Sequence, residues 1–120
     1  MFYNIIVKDD NIPTLTIYML SKINSKDDID IFIKDMDKTI KLNLDNYGIY
    51  KLDIILECNG IKLYNLDVNL AKIISSICTK RYPKILNKLS INNCPSAISP
   101  IIKTILNLFD NDVGKKLIIN

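Results

Sequence analysis

LDIILECNGIKLYNLDVNLAKIISSICTKRYPKILNKLSINNCP, residues 52–95, decides the fold. Leu52–Cys58 reads as a strand, closed by the turn pair Asn59-Gly60. Asp67 can cap a helix whose apolar face is Leu70, Ile73, Ile74 and Ile77. Pro83 ends that helix or its trailing turn, because its ring restricts Tyr82 and it has no amide proton for the ladder. Leu89–Asn93 is the next strand, stopped by Asn93-Cys94-Pro95. A strand, a helix and a second strand make a βαβ unit, and such crossovers build parallel sheets with right-handed connections. Within this unit Lys80, Arg81, Lys84 and Lys88 cluster. The fold alone gives no reason for that cluster.

Upstream, Phe2–Asp10 reads as a short strand followed by a turn at Asp10-Asn11, and Thr14–Leu20 as a buried strand. Ser25 can cap the helix that follows, with Asp27 and Asp28 in its first turn, where the helix dipole favours acids. Ile29, Phe32, Ile33, Met36 and Ile40 form one stripe at helical spacing. Downstream, residues 97–109 form a helix. Its Ile98, Ile101, Ile102, Ile105, Leu106, Leu108 and Phe109 cover an arc of about 160°. Lys115–Ile119 is the last strand. The order β-α-β-α-β-α-β places the chain in the α/β class, with a mainly parallel sheet.

Residues 1–120 are expected to form one domain, of a size that buries roughly two-thirds of its unfolded surface. No apolar run reaches the ~18 residues of a membrane span, and the N-terminus lacks the basic start of a signal peptide. A cytoplasmic protein is expected. Cys58, Cys78 and Cys94 are an odd number without CxxC spacing and there is no histidine, so reduced thiols are expected and no metal site. Ile, Lys and Asn occur 24, 15 and 14 times, a bias that fits an AT-rich coding genome such as that of a large DNA virus or a protist. It warns against reading each lysine as selected. Net charge is only +3, with acids mixed among bases, so nucleic acid is not an expected partner.

Enzymatic chemistry is poorly supplied. Without histidine there is no Ser-His or Cys-His pair, and neither GxGxxG nor GxxxxGK[ST] is present for a nucleotide phosphate. Asp27-Asp28 and Asp35-Asp37 fit a solvated helix face rather than acid–base work. Glu57, at a strand end, fits a turn-orienting role. No catalytic residue and no cofactor is expected.

The order of short motifs resembles a CRAL-TRIO (Sec14-like) lipid-binding domain. In that family a strand ends in Asp-x-x-Gly, a helix in Tyr-Pro-Glu-Arg and the next strand in Asn-Ala-Pro. A pocket-lining helix then ends near Phe-Leu-Asp-Pro, before a Lys that opens another strand. The matching segments are Glu57-Cys58-Asn59-Gly60, Tyr82-Pro83-Lys84-Ile85, Asn93-Cys94-Pro95, Leu108-Phe109-Asp110-Asn111 and Lys116. They hold order and spacing over about residues 50–119, and Asp9–Leu20 resembles the family's Asp-x-x-Gly-Arg-Pro-Val segment.

The resemblance implies a small non-enzymatic protein that binds an anionic phospholipid, at a membrane it contacts peripherally. Acyl chains would meet Ile98, Ile101, Ile102, Ile105 and Phe109. A Glu that contacts inositol in phosphatidylinositol-binding members falls at Lys84, which reverses the charge, while the corresponding Lys is retained as Lys116. Arg81, Lys84, Lys88, Lys115 and Lys116 would then suit a phosphorylated inositide head group, since charge-assisted bonds to phosphate are short and strong. On this resemblance the family's N-terminal helical domain and the lipid gate beyond the last strand are expected to be absent. A shallow cavity and self-association into a homo-oligomer are therefore expected. The alternative is a protein-interaction module derived from the same scaffold.

Overall fold

Five strands form one sheet in chain order: β1 (Tyr3–Ile6), β2 (Thr14–Tyr18), β3 (Leu52–Glu57), β4 (Leu86–Asn92) and β5 (Leu117–Ile119). One long helix, α1 (Lys26–Tyr47), connects β2 to β3. The computed structural model describes residues 2–7, 12–19, 26–62, 73, 76, 80–82, 84–98, 100 and 117–119. Strands β2 to β5 pair in parallel, while β1 runs antiparallel to β2 along the edge. The reason is length: residues 7–13 are too few for a crossover, which needs about a dozen or more. The α/β class and the mainly parallel sheet stand.

Spatial order equals chain order, and α1, in the crossover from β2 to β3, packs on one face of the sheet. That face carries the core. Leu15, Ile54 and Leu89 form one row across β2, β3 and β4, and Ile17, Leu56 and Ile91 the next, all at most 5% exposed. Phe32, Met36 and Ile40 of α1 are buried in the same cluster, and each such side chain contributes roughly 1.5–3 kcal/mol. At the edge, Phe2 and Tyr3 pack edge-on against Phe32 with centroids at 5.3 and 4.8 Å. Tyr3 also donates its hydroxyl to Asp35. These contacts fasten a strand of only four residues to the helix.

Gly48 ends α1 in the left-handed region, φ 67, with its amide on the Leu44 carbonyl at 3.0 Å. The second face of the sheet is different in character. Thr14, Thr16, Asp53, Ile55, Glu57, Ser90 and Asn92 are all partly exposed there, and no described helix covers them.

β3 and β4 each end one residue short of expectation, at Glu57 and Asn92, and two other boundaries differ by more. β2 stops at Tyr18, and Met19 turns into the core. β4 begins at Leu86, three residues before Leu89, because its register slips: Leu86 pairs with Leu52, but Lys88 pairs with Asp53. The extra residue, Asn87, lets two leucines three positions apart face the same core. Of the expected helix features, Ser25, Asp67, Leu70, Ile74, Ile77 and Pro83 lie outside the described residues, as do the Asp10-Asn11 turn and residues 101–116.

Candidate functional site

The bulge in β4 sets up the first part of the site. It turns Lys88 onto the second face, exposed and opposite Asp53, while Leu89 goes into the core. Asn87 donates from Nδ2 to Asp53 Oδ1 at 2.8 Å and so fixes that carboxylate.

Lys84 sits just upstream. The Ile85 amide donates to the Tyr82 carbonyl at 3.2 Å, closing a four-residue turn with Lys84 at its third position. Lys84 has φ 63. A turn with proline second and a positive φ third normally takes glycine or asparagine there, because a Cβ crowds the following carbonyl. A lysine holds the position here, and its side chain is exposed. From the start of β3, Lys51 Nζ reaches across to donate to the Lys84 carbonyl at 3.1 Å. Lys51 and Lys84 thus meet where β3 and β4 begin, and Lys88 lies four positions on, on the second face. Lys51 was not among the residues expected from sequence, since nothing local links it to a partner 33 positions away.

Arg81 goes elsewhere. Its Nε and Nη2 donate to Asp37 of α1 at 3.1 and 2.6 Å, and Tyr82 gives its hydroxyl to the same carboxylate. Asp37 and Asp35 are therefore partnered, half-buried carboxylates and not a freely solvated pair. Lys80 and Arg81 border a groove of about 420 Å³ with Ile29, Ile33, Ile73 and Ser76, on the helix side of the sheet. The basic cluster read from sequence is split by the fold. Lys80 and Arg81 lie on the helix side, Lys88 on the opposite face and Lys84 at the edge between them.

At the other end of the sheet, Glu57 orients two turns. Its Oε1 accepts from the Asn59 amide at 3.2 Å and from Asn93 Nδ2 at 2.9 Å. Asn93 takes φ 55, a conformation its short polar side chain tolerates, and so stops β4. The chain then re-forms a turn with the Ile98 amide on the Pro95 carbonyl at 2.9 Å.

Of the residues expected to meet acyl chains, Ile98 is 5% exposed and belongs to the core cluster. Ile101, Ile102, Ile105 and Phe109 lie outside the described residues, as do Lys115 and Lys116. β5 begins with Leu117 opposite Leu89, the residue after Lys88. Among the described residues no group of three His, Cys, Asp or Glu could hold a metal ion, and no helix is long and apolar enough to cross a membrane.

The profile of the CRAL/TRIO domain matches residues 11–120. Among solved structures, the fold is similar to that of the crystal structure of Sfh5, with a TM-score of 0.64 at 14% identity. The match covers 98% of this chain and 46% of that one, so this chain spans less than half the length of its structural neighbour. No curated protein matches by sequence.

Proposed function

This chain belongs to the CRAL/TRIO domain family, and on that premise we propose that it binds an anionic phospholipid of the phosphoinositide class. The observation that carries the reading is Lys84, a lysine held at φ 63 where glycine is the unstrained choice. Strained backbone gathers at sites where the side chain is used. Lys84, with Lys51 on its carbonyl, and Lys88 supply the cations for the phosphates, and Lys115 and Lys116 add to them from the segment that leads into β5. Each offers several donors to a phosphate oxygen. Arg81 serves the site indirectly: its ion pair with Asp37 fixes the chain that leads into the Lys84 turn. Ile101, Ile102, Ile105 and Phe109 meet the acyl chains, while Ile98 packs into the core.

The protein acts as a binding or transfer protein and not as an enzyme, and it works in the cytoplasm with peripheral contact to membranes. Association into a closed homo-oligomer belongs to the same reading. Ile6 and Val7, 45% and 44% exposed beside the edge of β1 that no described strand pairs, support it. Sedimentation equilibrium at micromolar concentration checks it, and a strict monomer counts against it.

Vesicle flotation tests the lipid reading. Wild-type protein is expected to bind phosphatidylcholine vesicles doped with a phosphoinositide and to ignore pure phosphatidylcholine. Lys84→Glu with Lys116→Glu should abolish most of that binding and leave the circular dichroism spectrum unchanged. Added salt should weaken the wild-type interaction, since exposed charges are screened over about 8 Å at 0.15 M. Equal binding by wild type and the double variant overturns the site. A folded wild-type protein that ignores every vesicle moves the function to a protein-interaction module.

A further inference from the structure

Cys58 directly follows β3, and Cys94 lies two residues past the end of β4. The two strands are parallel neighbours, in register up to the pair Glu57 and Asn92. Beyond that pair the ladder continues for one more bond, the Cys58 amide on the Asn92 carbonyl at 2.9 Å. In the continued register Cys58 lies opposite Asn93, so Cys94 is its diagonal neighbour across strands about 4.7–4.9 Å apart, and a disulfide bridges Cα atoms about 4.4–6.8 Å apart. Cys94 packs against the core cluster to which Cys58 belongs. Their polar neighbours are weak acceptors, the Leu56 carbonyl at 3.7 Å from Cys58 Sγ and the Pro95 carbonyl at 3.6 Å from Cys94 Sγ.

We infer that Cys58 and Cys94 are a dithiol that closes to a disulfide on reaction with a low-molecular-weight disulfide, tying the Asn93-Cys94-Pro95 turn to the end of β3. The two cysteines have different parts. Cys58 is fully buried, whereas Cys94 is partly exposed and can meet a reagent from solvent. The Cys94 sulfur, as thiolate, attacks one sulfur of the reagent, forms a mixed disulfide and expels a thiolate. The Cys58 sulfur then attacks Cys94 Sγ. The S–S bond to the reagent breaks, and the second departing thiolate takes the proton from Cys58. Two protein thiols lose two electrons and two protons, and the reagent becomes two thiols.

Burial, with the Cys94 contact after it, pushes the Cys58 thiol up to about 12, so Cys58 is a poor nucleophile towards a reagent in solvent, and its attack in the second step rests on its position beside Cys94. The bond would span the crossover between β3 and β4 and fix the turn from which the chain leaves the sheet towards Ile98. This inference is independent of any lipid. It concerns the turn that Glu57 and Asn93 hold together, and oxidation would add a covalent link to that hydrogen bond.

Equilibration of the intact protein in glutathione buffers of rising oxidation, followed by alkylation under denaturing conditions and peptide mapping without reduction, tests it. The peptides of Cys58 and Cys94 are expected to lose their alkyl groups together, with one midpoint, and to appear as a single cross-linked species. Dithiothreitol should reverse this. In Cys58→Ser, Cys94 should stop at the mixed disulfide with glutathione, and in Cys94→Ala, Cys58 should remain fully alkylated. Oxidised wild type should unfold at higher urea than reduced protein, because the link restricts the unfolded chain. Cys94 accumulating as a mixed disulfide in wild type while Cys58 stays free would overturn the inference, as would cross-linking of either cysteine to Cys78 instead.

Discussion

Arg81 grips the carboxylate of Asp37 with two hydrogen bonds across 44 positions of sequence, and the Tyr82 hydroxyl shares that carboxylate. The pair is open to solvent, with side chains 48% and 39% exposed, so the charge attraction itself is well screened. Its value is geometric. Three groups from two elements meet at one carboxylate, next to the turn that carries Lys84.

Tyr82→Phe removes one of those bonds and should lower stability by about 1 kcal/mol, the usual net worth of a hydrogen bond. Asp37→Asn should do more, because it weakens both donors at once. Urea unfolding measures each. Vesicle binding should fall less than stability does, since neither residue touches the lipid. A Tyr82→Phe protein of unchanged midpoint would show that the Tyr82 bond to Asp37 contributes nothing to the turn.

Alkaline pH should weaken the fold through two acids held in their protonated forms. Burial raises Tyr3 from 10.0 to about 12, and its hydrogen bond to Asp35 adds to the effect. Cys58 rises from 9.0 to about 12 by burial and its contact with Cys94. The unfolded chain therefore loses these protons first, and stability falls as the medium becomes more alkaline. The contribution of Cys58 is complete below pH 9.0 and that of Tyr3 below 10.0, and both are spent once the pH passes about 12. Urea midpoints measured in reductant should decline over that window, and Tyr3→Phe should remove the upper part of the decline. Flat midpoints would mean that neither group is as enclosed as its surroundings suggest.

Asn43 gives a prediction of opposite sign. It is 2% exposed on the core side of α1, and its Nδ2 has no hydrogen-bond partner among the described residues. An orphaned buried donor costs its desolvation, roughly 1–3 kcal/mol, with nothing in return. Asn43→Leu is close in shape and should leave stability unchanged or raise it. A clear loss in the urea midpoint would reveal a partner for the amide.

These residues also show what could be read in advance. Alternation and helical spacing gave β3, α1 and the parallel sheet, because those signals are local and the burial pattern follows them. The start of β4 was hidden by its bulge. Leu86 and Leu89 are three apart, which fits no strand period until Asn87 is taken out of register. The antiparallel β1 was legible only as a strand, since its direction depends on a short connection and on the aromatic contact with Phe32. For the site, sequence grouped its cations by proximity along the chain. The fold sorts them by face, and only the pleat of β4 and the reach of Arg81 to α1 decide which face each takes. Lys51 could not be found that way, because its link to Lys84 is made across two strand starts.

Lys84 offers the sharpest separation of stability from binding. A non-glycine residue in the left-handed region costs about 1–2 kcal/mol, and glycine there costs almost nothing in strain. Lys84 has φ 63, and its carbonyl bond to Lys51 does not depend on its own side chain. Lys84→Gly should therefore relax the turn and raise stability by about 1 kcal/mol, after the greater freedom of glycine in the unfolded chain is set against the relief. The same change removes a cation from the phosphate site, so binding to phosphoinositide vesicles should fall. Lys84→Glu keeps the strain and reverses the charge; its stability should match wild type while its binding falls further. A Lys84→Gly protein that is more stable and binds equally well would leave the lysine without a role at the lipid. One that is less stable would mean the side chain holds the turn itself, and the strain would then be no sign of function.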